Sequence, residues 1–187
     1  RIRGIFTDNS CGNFGYIRRS IPWGKDFEER FNTITGLELR GLLPGLFYGH
    51  LPGAHRARLI FWDFFGKEYI RSFLKPIKDF CDKNRIYSTG HLCLEDGMGE
   101  HVRQIGDYFE VMRNFSLTAV DQLGPRKERS KDLFESQTSE DIAACIKNTA
   151  SAGYFTGSPR VMCESFGLAG GWDLDLGEIR RISGFLS

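Results

Sequence analysis

The sequence predicts an α/β protein built on a parallel sheet, and three observations carry that prediction. Short β-rich segments alternate with longer segments of helical period, which is the rhythm of βα units. At 187 residues the chain is long enough for one sizeable core, so a single domain over 1–187 is expected. Each β-rich segment also finishes on polar residues, at the edge where a βα barrel or an open parallel sheet presents its functional loops.

Four units follow in order. The first strand is expected at Ile2–Thr7, with a Gly- and Pro-containing excursion from Asn9 to Gly24 and a helix over Lys25–Thr33. The stretch "LLPGLFYGHLPG" reads as a loop because its prolines and glycines punctuate it. A long helix is then expected from His55 to Asn84, with Leu59, Trp62, Phe65, Tyr69, Phe73 and Ile77 at three-to-four spacing. Pro76 should kink it, because an interior proline removes an amide donor.

The second strand is expected at Ile86–Leu92, followed by a helix over Gly99–Asn114. The third is "LTAVD", Leu117–Asp121; the charged "GPRKERSKD" reads as a solvated loop before a helix at Ser139–Ala152. The fourth is "RVMCES", Arg160–Ser165, and the glycines of "FGLAGGWDL" separate it from a last amphipathic helix, "LGEIRRISGFLS". The abrupt start and the uncapped end lead us to expect a piece of a longer, multidomain chain.

Composition excludes several classes of partner. Lys and Arg total 25 against 24 Asp and Glu, which leaves no electrostatic footprint for a phosphate backbone, so nucleic acid is not an expected partner. No apolar run approaches the roughly 20 residues of a membrane-spanning helix, so no membrane is expected either. The five cysteines lie far apart without a C-x-x-C pair and read mostly as small buried hydrophobes. The glycines of "GLAGGW" form neither a dinucleotide fingerprint nor a phosphate loop.

The candidate site residues come from the strand ends. Glu164 alternates in phase with Met162 and reads equally as a nucleophile or base and as a structural acid paired with an arginine or capping a helix. His91 and Glu95 lie four apart and, with Asp96, could reach one cavity; a hydrogen-bond network is the plainer account of such a trio than a divalent-metal site. Asp8 alternates with Gly4 and Phe6 and could point to the same mouth, though an Asp before Asn9 and Ser10 also suits a turn. Asp121 closes the third strand. Trp23 and Trp172 sit in loops where an indole could stack on a sugar ring, although packing under a loop is the better account of a single Trp.

Taken in order, "GIFTD", "IPW", "LPGLFYG", "STGHLCLED", "VDQLG" and "MCESFGLAGGWDL" resemble the catalytic barrel of glycoside hydrolases of the family 106 type. These are the α-L-rhamnosidase-like relatives within the broader family 2-like superfamily of (β/α)8 enzymes. The resemblance covers essentially the whole chain and implies a partial (β/α)8 TIM barrel, with these four strands as its fourth to seventh. It implies further that the remaining strands and the accessory domains lie elsewhere, or that another chain covers the sheet edges.

By the same resemblance the substrate is a carbohydrate, and catalysis rests on a pair of carboxylates drawn from Glu164, Glu95 and Asp8. Glu164 would be the ionised partner, and Glu95 or Asp8 the proton donor. His91, Trp172, Asp96, Asp121 and Trp23 would bind or frame the sugar. No cofactor is implied; calcium is associated with the rhamnosidase relatives, but no EF-hand-like run occurs and the sequence names no ligands for it. One departure stands out: related sequences commonly read "TDEP" where this one reads "TDNS", so Asn9 replaces a glutamate. Two other functions therefore stay open, a non-catalytic carbohydrate-binding barrel and a metal-dependent hydrolase using His91, Glu95 and Asp96.

Overall fold

A computed structural model of the chain describes residues 2–12, 20–93, 97–122, 139–158, 160–166 and 174–186. The protein is mixed α/β, with a four-stranded sheet in the order β1-β2-β3-β4 and all neighbours parallel. The strands are β1 Gly4–Ser10, β2 Tyr87–Leu92, β3 Leu117–Gln122 and β4 Met162–Ser165. The helices are α1 Phe27–Thr35, α2 Leu39–Phe47, α3 Ala54–Tyr69, α4 Lys75–Asn84, α5 Met98–Ile105, α6 Tyr108–Met112, α7 Ser139–Thr156 and α8 Leu176–Leu186.

The two faces of the sheet differ in chemistry because side chains alternate along each strand. One face packs under helices: Leu92 joins Tyr69, Leu74, Ile105, Tyr108, Val111, Met112, Phe115 and Ala152 in a buried cluster. Thr118 on β3 faces α7 closely, since a Cβ on Gly153 would lie 3.0 Å from its hydroxyl. The opposite face carries Phe6 and Asp8 on β1, Thr89 and His91 on β2, Ala119 and Asp121 on β3, and Met162 and Glu164 on β4.

Several expectations need correction. The first strand runs on to Ser10 instead of ending at Thr7, because its pairing with β2 passes from Thr7↔Gly90 to Ser10↔Leu92. Three steps on β1 oppose two on β2, which is a β-bulge. The predicted loop at "LLPGLFYGHLPG" contains most of α2, with Pro44 inside it. Leu39 is buried, and Leu42, Leu43 and Leu46 pack with it against Phe27, Phe31, Phe61, Phe64 and Phe65. Helical spacing of four leucines thus overrides the proline and glycine signals.

The long helix expected over His55–Asn84 is α3 and α4 joined by a π-helical turn, Ile70–Leu74. Pro76 falls in the first turn of α4, where its missing N–H costs least, and the wider turn before it absorbs the mismatch. The buried stripe of α3 is Ala54, Ala57, Phe61, Phe64, Phe65 and Tyr69, whereas Leu59 and Phe73 of the expected stripe are exposed. The helix expected over Gly99–Asn114 is two helices, α5 and α6. They divide at Gly106, whose φ of 82° is left-handed and whose backbone lies against Gly66.

An ion cluster around the buried carboxylate of Glu68 ties α1 to α3. Glu68 accepts hydrogen bonds from Arg30 at 2.6 and 2.7 Å and from Arg71 at 2.8 Å. The Arg30 bonds, with those of Arg71, hold its carboxyl down at about 2 against the burial that opposes them. None of the five cysteines is in a disulfide; Cys81 and Cys145 are buried, whereas Cys11, Cys93 and Cys163 are half-buried. Among the described residues no helix is long and apolar enough to cross a membrane.

Candidate functional site

The site stands at the carboxyl ends of the strands, on the face turned away from the helices. Asp8 reaches it from β1, His91 from β2 and Glu164 from β4. The His91 Nε2 lies 2.8 Å from Glu164 Oε2, at hydrogen-bond distance, and 3.1 Å from Asp8 Oδ1. The three polar atoms all lie within 4.8 Å of one another. His91 is 1% exposed, while the side chains of Asp8 and Glu164 are 69% and 44% exposed. A buried imidazole therefore forms the floor and two carboxylates rise from it toward solvent.

Local sequence explains how each group arrives there. Gly90 lets β2 approach β1: a Cβ at that position would run into the backbone and hydroxyl of Thr7. His91 follows directly and packs on Phe6, with ring centroids 5.5 Å apart. Its Nδ1 faces the carbonyl oxygen of Leu92 at 3.4 Å, leaving Nε2 for the carboxylates. The register Gly90↔Thr118, continued by one residue, sets His91 beside Ala119, which also pairs with Met162. Only a methyl group stands between His91 and β4.

Each carboxylate-bearing strand has a residue with left-handed backbone shortly after its carboxylate. Asn9, one residue past Asp8, has φ 46° and is the extra residue of the β1 bulge; Phe166, two past Glu164, has φ 71°. Asn tolerates the left-handed region better than most residues, which gives its presence at this position a conformational reason. A phenylalanine there costs of order 1–3 kcal/mol, and such strain concentrates where side chains must be aimed.

The structure thus brings together Asp8, His91 and Glu164 of the sequence-derived candidates. Asp121 is the register partner of Glu164, on the same face and half-buried. Glu95, Asp96 and Trp172 lie outside the described residues. Trp23 rests on Phe27 beside the helical cluster, ring centroids 6.0 Å apart and half exposed, which is the packing role weighed for it. His91 is almost fully buried and touches both acids through Nε2.

No family model, curated protein or solved structure matches the chain. The resemblance to family 106 glycoside hydrolases accordingly rests on the quoted motifs.

Two further features are not legible in the sequence. A cavity of about 650 Å³ opens between α3, α5 and α6, with Leu59, Trp62, Val102 and Phe109 among its lining residues and none of the three site residues. Ala119 was unremarkable as a residue of an apolar strand, and only the strand order shows that its small size opens the path from His91 to Glu164.

Proposed function

We propose that this chain carries the catalytic carboxylates of a glycoside hydrolase, with Glu164 and Asp8 as the pair. The observation that carries the proposal is their convergence, from strands at opposite edges of the sheet, on one buried histidine at the carboxyl edge. Glycosidic cleavage needs one carboxyl to protonate the leaving oxygen and one carboxylate on the other side of an oxocarbenium-like transition state.

We read the pair as the retaining variant, whose carboxyl groups stand roughly 5–5.5 Å apart against the 6.5–9.5 Å that leaves room for an inverting water. The oxygens that Asp8 and Glu164 turn toward each other lie within 4.8 Å. In the first step Glu164 attacks the anomeric carbon as Asp8 passes its proton to the departing oxygen. In the second, Asp8 takes a proton from water, which displaces Glu164 and restores both groups. The motif resemblance favours α-L-rhamnosides among the substrates.

The fold proposed with this function is part of a (β/α)8 barrel, strands four to seven. Two features support it: the strands lie in sequence order without reversal, and side chains meet across an intervening strand. Besides His91 and Glu164, Thr89 Oγ1 lies 3.9 Å from Met162 Sδ. Neighbouring strands are about 4.8 Å apart, so β2 and β4 side chains meet most readily if the sheet curls toward that face, as a barrel wall does. Further strands, from this protein or a partner, would close it.

The test is hydrolysis of a panel of aryl glycosides, α-L-rhamnoside included, by the protein and by its Glu164→Gln and Asp8→Asn variants. The expected result is turnover that falls more than about a hundredfold in Glu164→Gln, with the first product keeping the anomeric configuration of the substrate. Sugar binding without turnover, undiminished in Glu164→Gln, would overturn it in favour of a non-catalytic carbohydrate-binding barrel.

A further inference from the structure

We propose that Asp8, His91 and Glu164 form a chelating site for a first-row transition dication such as Zn²⁺, and that an occupied site is hydrolytically silent. The binding half of this proposal stands on geometry alone. The inhibitory half rests on the glycosidase reading of the same carboxylates.

The distances suit chelation. A divalent ion holds imidazole nitrogen and carboxylate oxygen at roughly 2.0–2.2 Å, so two ligands at right angles around it lie about 3 Å apart. His91 Nε2 is 3.1 Å from Asp8 Oδ1 and 2.8 Å from Glu164 Oε2, and the two oxygens are within 4.8 Å of each other. Small side-chain rotations at the two exposed acids open the space for an ion, while the buried imidazole stays fixed by its packing on Phe6.

The imidazole is also prepared as a ligand. A metal-binding histidine commonly turns its second nitrogen to a carbonyl or carboxylate, which fixes the tautomer and the ring. The carbonyl of Leu92 faces Nδ1 at 3.4 Å. As the site stands, one imidazole nitrogen, Nε2, faces both acids at once. A dication satisfies all three groups and offsets the mutual repulsion of the acids.

The donor set selects the ion. One nitrogen and two carboxylates suit Zn²⁺, Mn²⁺ or Co²⁺, whereas Ca²⁺ requires six to eight oxygens and Mg²⁺ a nearly complete oxygen shell. Solvent can fill the remaining positions, since both acids open outward. With both carboxylates committed to the metal, neither can attack an anomeric carbon or move a proton, so bound Zn²⁺ stops retaining hydrolysis.

The experiment is titration of the metal-stripped protein with Co²⁺ alone, followed by its d–d absorption, and then displacement by Zn²⁺ with Ca²⁺ as control. The expected result is one saturable equivalent, displaced by Zn²⁺ and not by Ca²⁺, with affinity lowered more than about tenfold in Asp8→Asn and in Glu164→Gln. Both variants change exposed groups, so circular dichroism should show an intact fold. Absence of saturable uptake, or uptake indifferent to both variants, overturns the metal site.

Aryl glycoside hydrolysis by the metal-free protein separates the two readings. Co²⁺ uptake at these residues with no hydrolysis keeps the metal site and sinks the glycosidase reading together with inhibition. Hydrolysis without uptake does the reverse for the site. Hydrolysis with uptake should be abolished by stoichiometric Zn²⁺, and turnover that persists in the loaded protein would overturn the inhibitory half.

Discussion

His91 is hydrogen-bonded to Glu164 across an entire intervening strand, at 2.8 Å, and the residue the bond passes over is Ala119. Ala119 is fully buried, so a larger side chain there meets both partners. Ala119→Val should separate the imidazole from the carboxylate and cost about 1–3 kcal/mol through overpacking. Chemical denaturation would measure the second effect and kcat against KM on an aryl glycoside the first. A loss confined to kcat marks Ala119 as a spacer for the acid; unchanged kinetics in a destabilised protein would mark it as packing alone.

Gly90 governs the other half of the convergence. Because a Cβ there would strike the backbone of Thr7, Gly90→Ala should force β1 and β2 apart at the pair just before Asp8 and His91. The expected result is a stability loss of about 1–3 kcal/mol with uptake of Co²⁺ weakened as well. Wild-type stability and metal affinity in this variant would show that the close approach is not required.

The helical layer has its own contact without side chains. Gly66 of α3 and Gly106 between α5 and α6 approach so closely that a Cβ on Gly66 would lie 2.9 Å from the Gly106 Cα. Gly66→Ala should therefore lower the urea midpoint by the equivalent of about 1–3 kcal/mol, with little change in the denaturant slope. The conservative control is Gly41→Ala, where a Cβ meets nothing within 4 Å and no such loss is expected.

Glu68 sets an acid-side limit on stability. Its carboxyl is held at about 2 in the folded protein, against 4.5 as its ordinary value, chiefly by the hydrogen bonds from Arg30. A group depressed on folding contributes fully above its unfolded value and loses that contribution as pH falls toward the folded one. Stability should thus decline between about pH 4.5 and 2. Glu68→Gln should lower stability at neutral pH by about 1–3 kcal/mol, the scale of hydrogen bonds to charged groups, and should flatten the decline. An unchanged acid slope in the variant would remove Glu68 as its source.

What the sequence by itself determined is the class of fold and the faces of the strands. Alternation of two fixed Met162 with Glu164 and Phe6 with Asp8, because a strand's side chains have only two directions to take. Polar residues at all four strand ends marked the edge where Asp8, His91 and Glu164 stand. Helical detail was less legible: four leucines made a helix around Pro44, and the break at Gly106 answers to Gly66, forty residues earlier in the chain. The meeting itself was decided only by tertiary structure. Strand order puts Ala119 between His91 and Glu164, and the bulge at Asn9 carries β1 past His91; both are pairings between segments far apart in sequence, which local patterns do not encode.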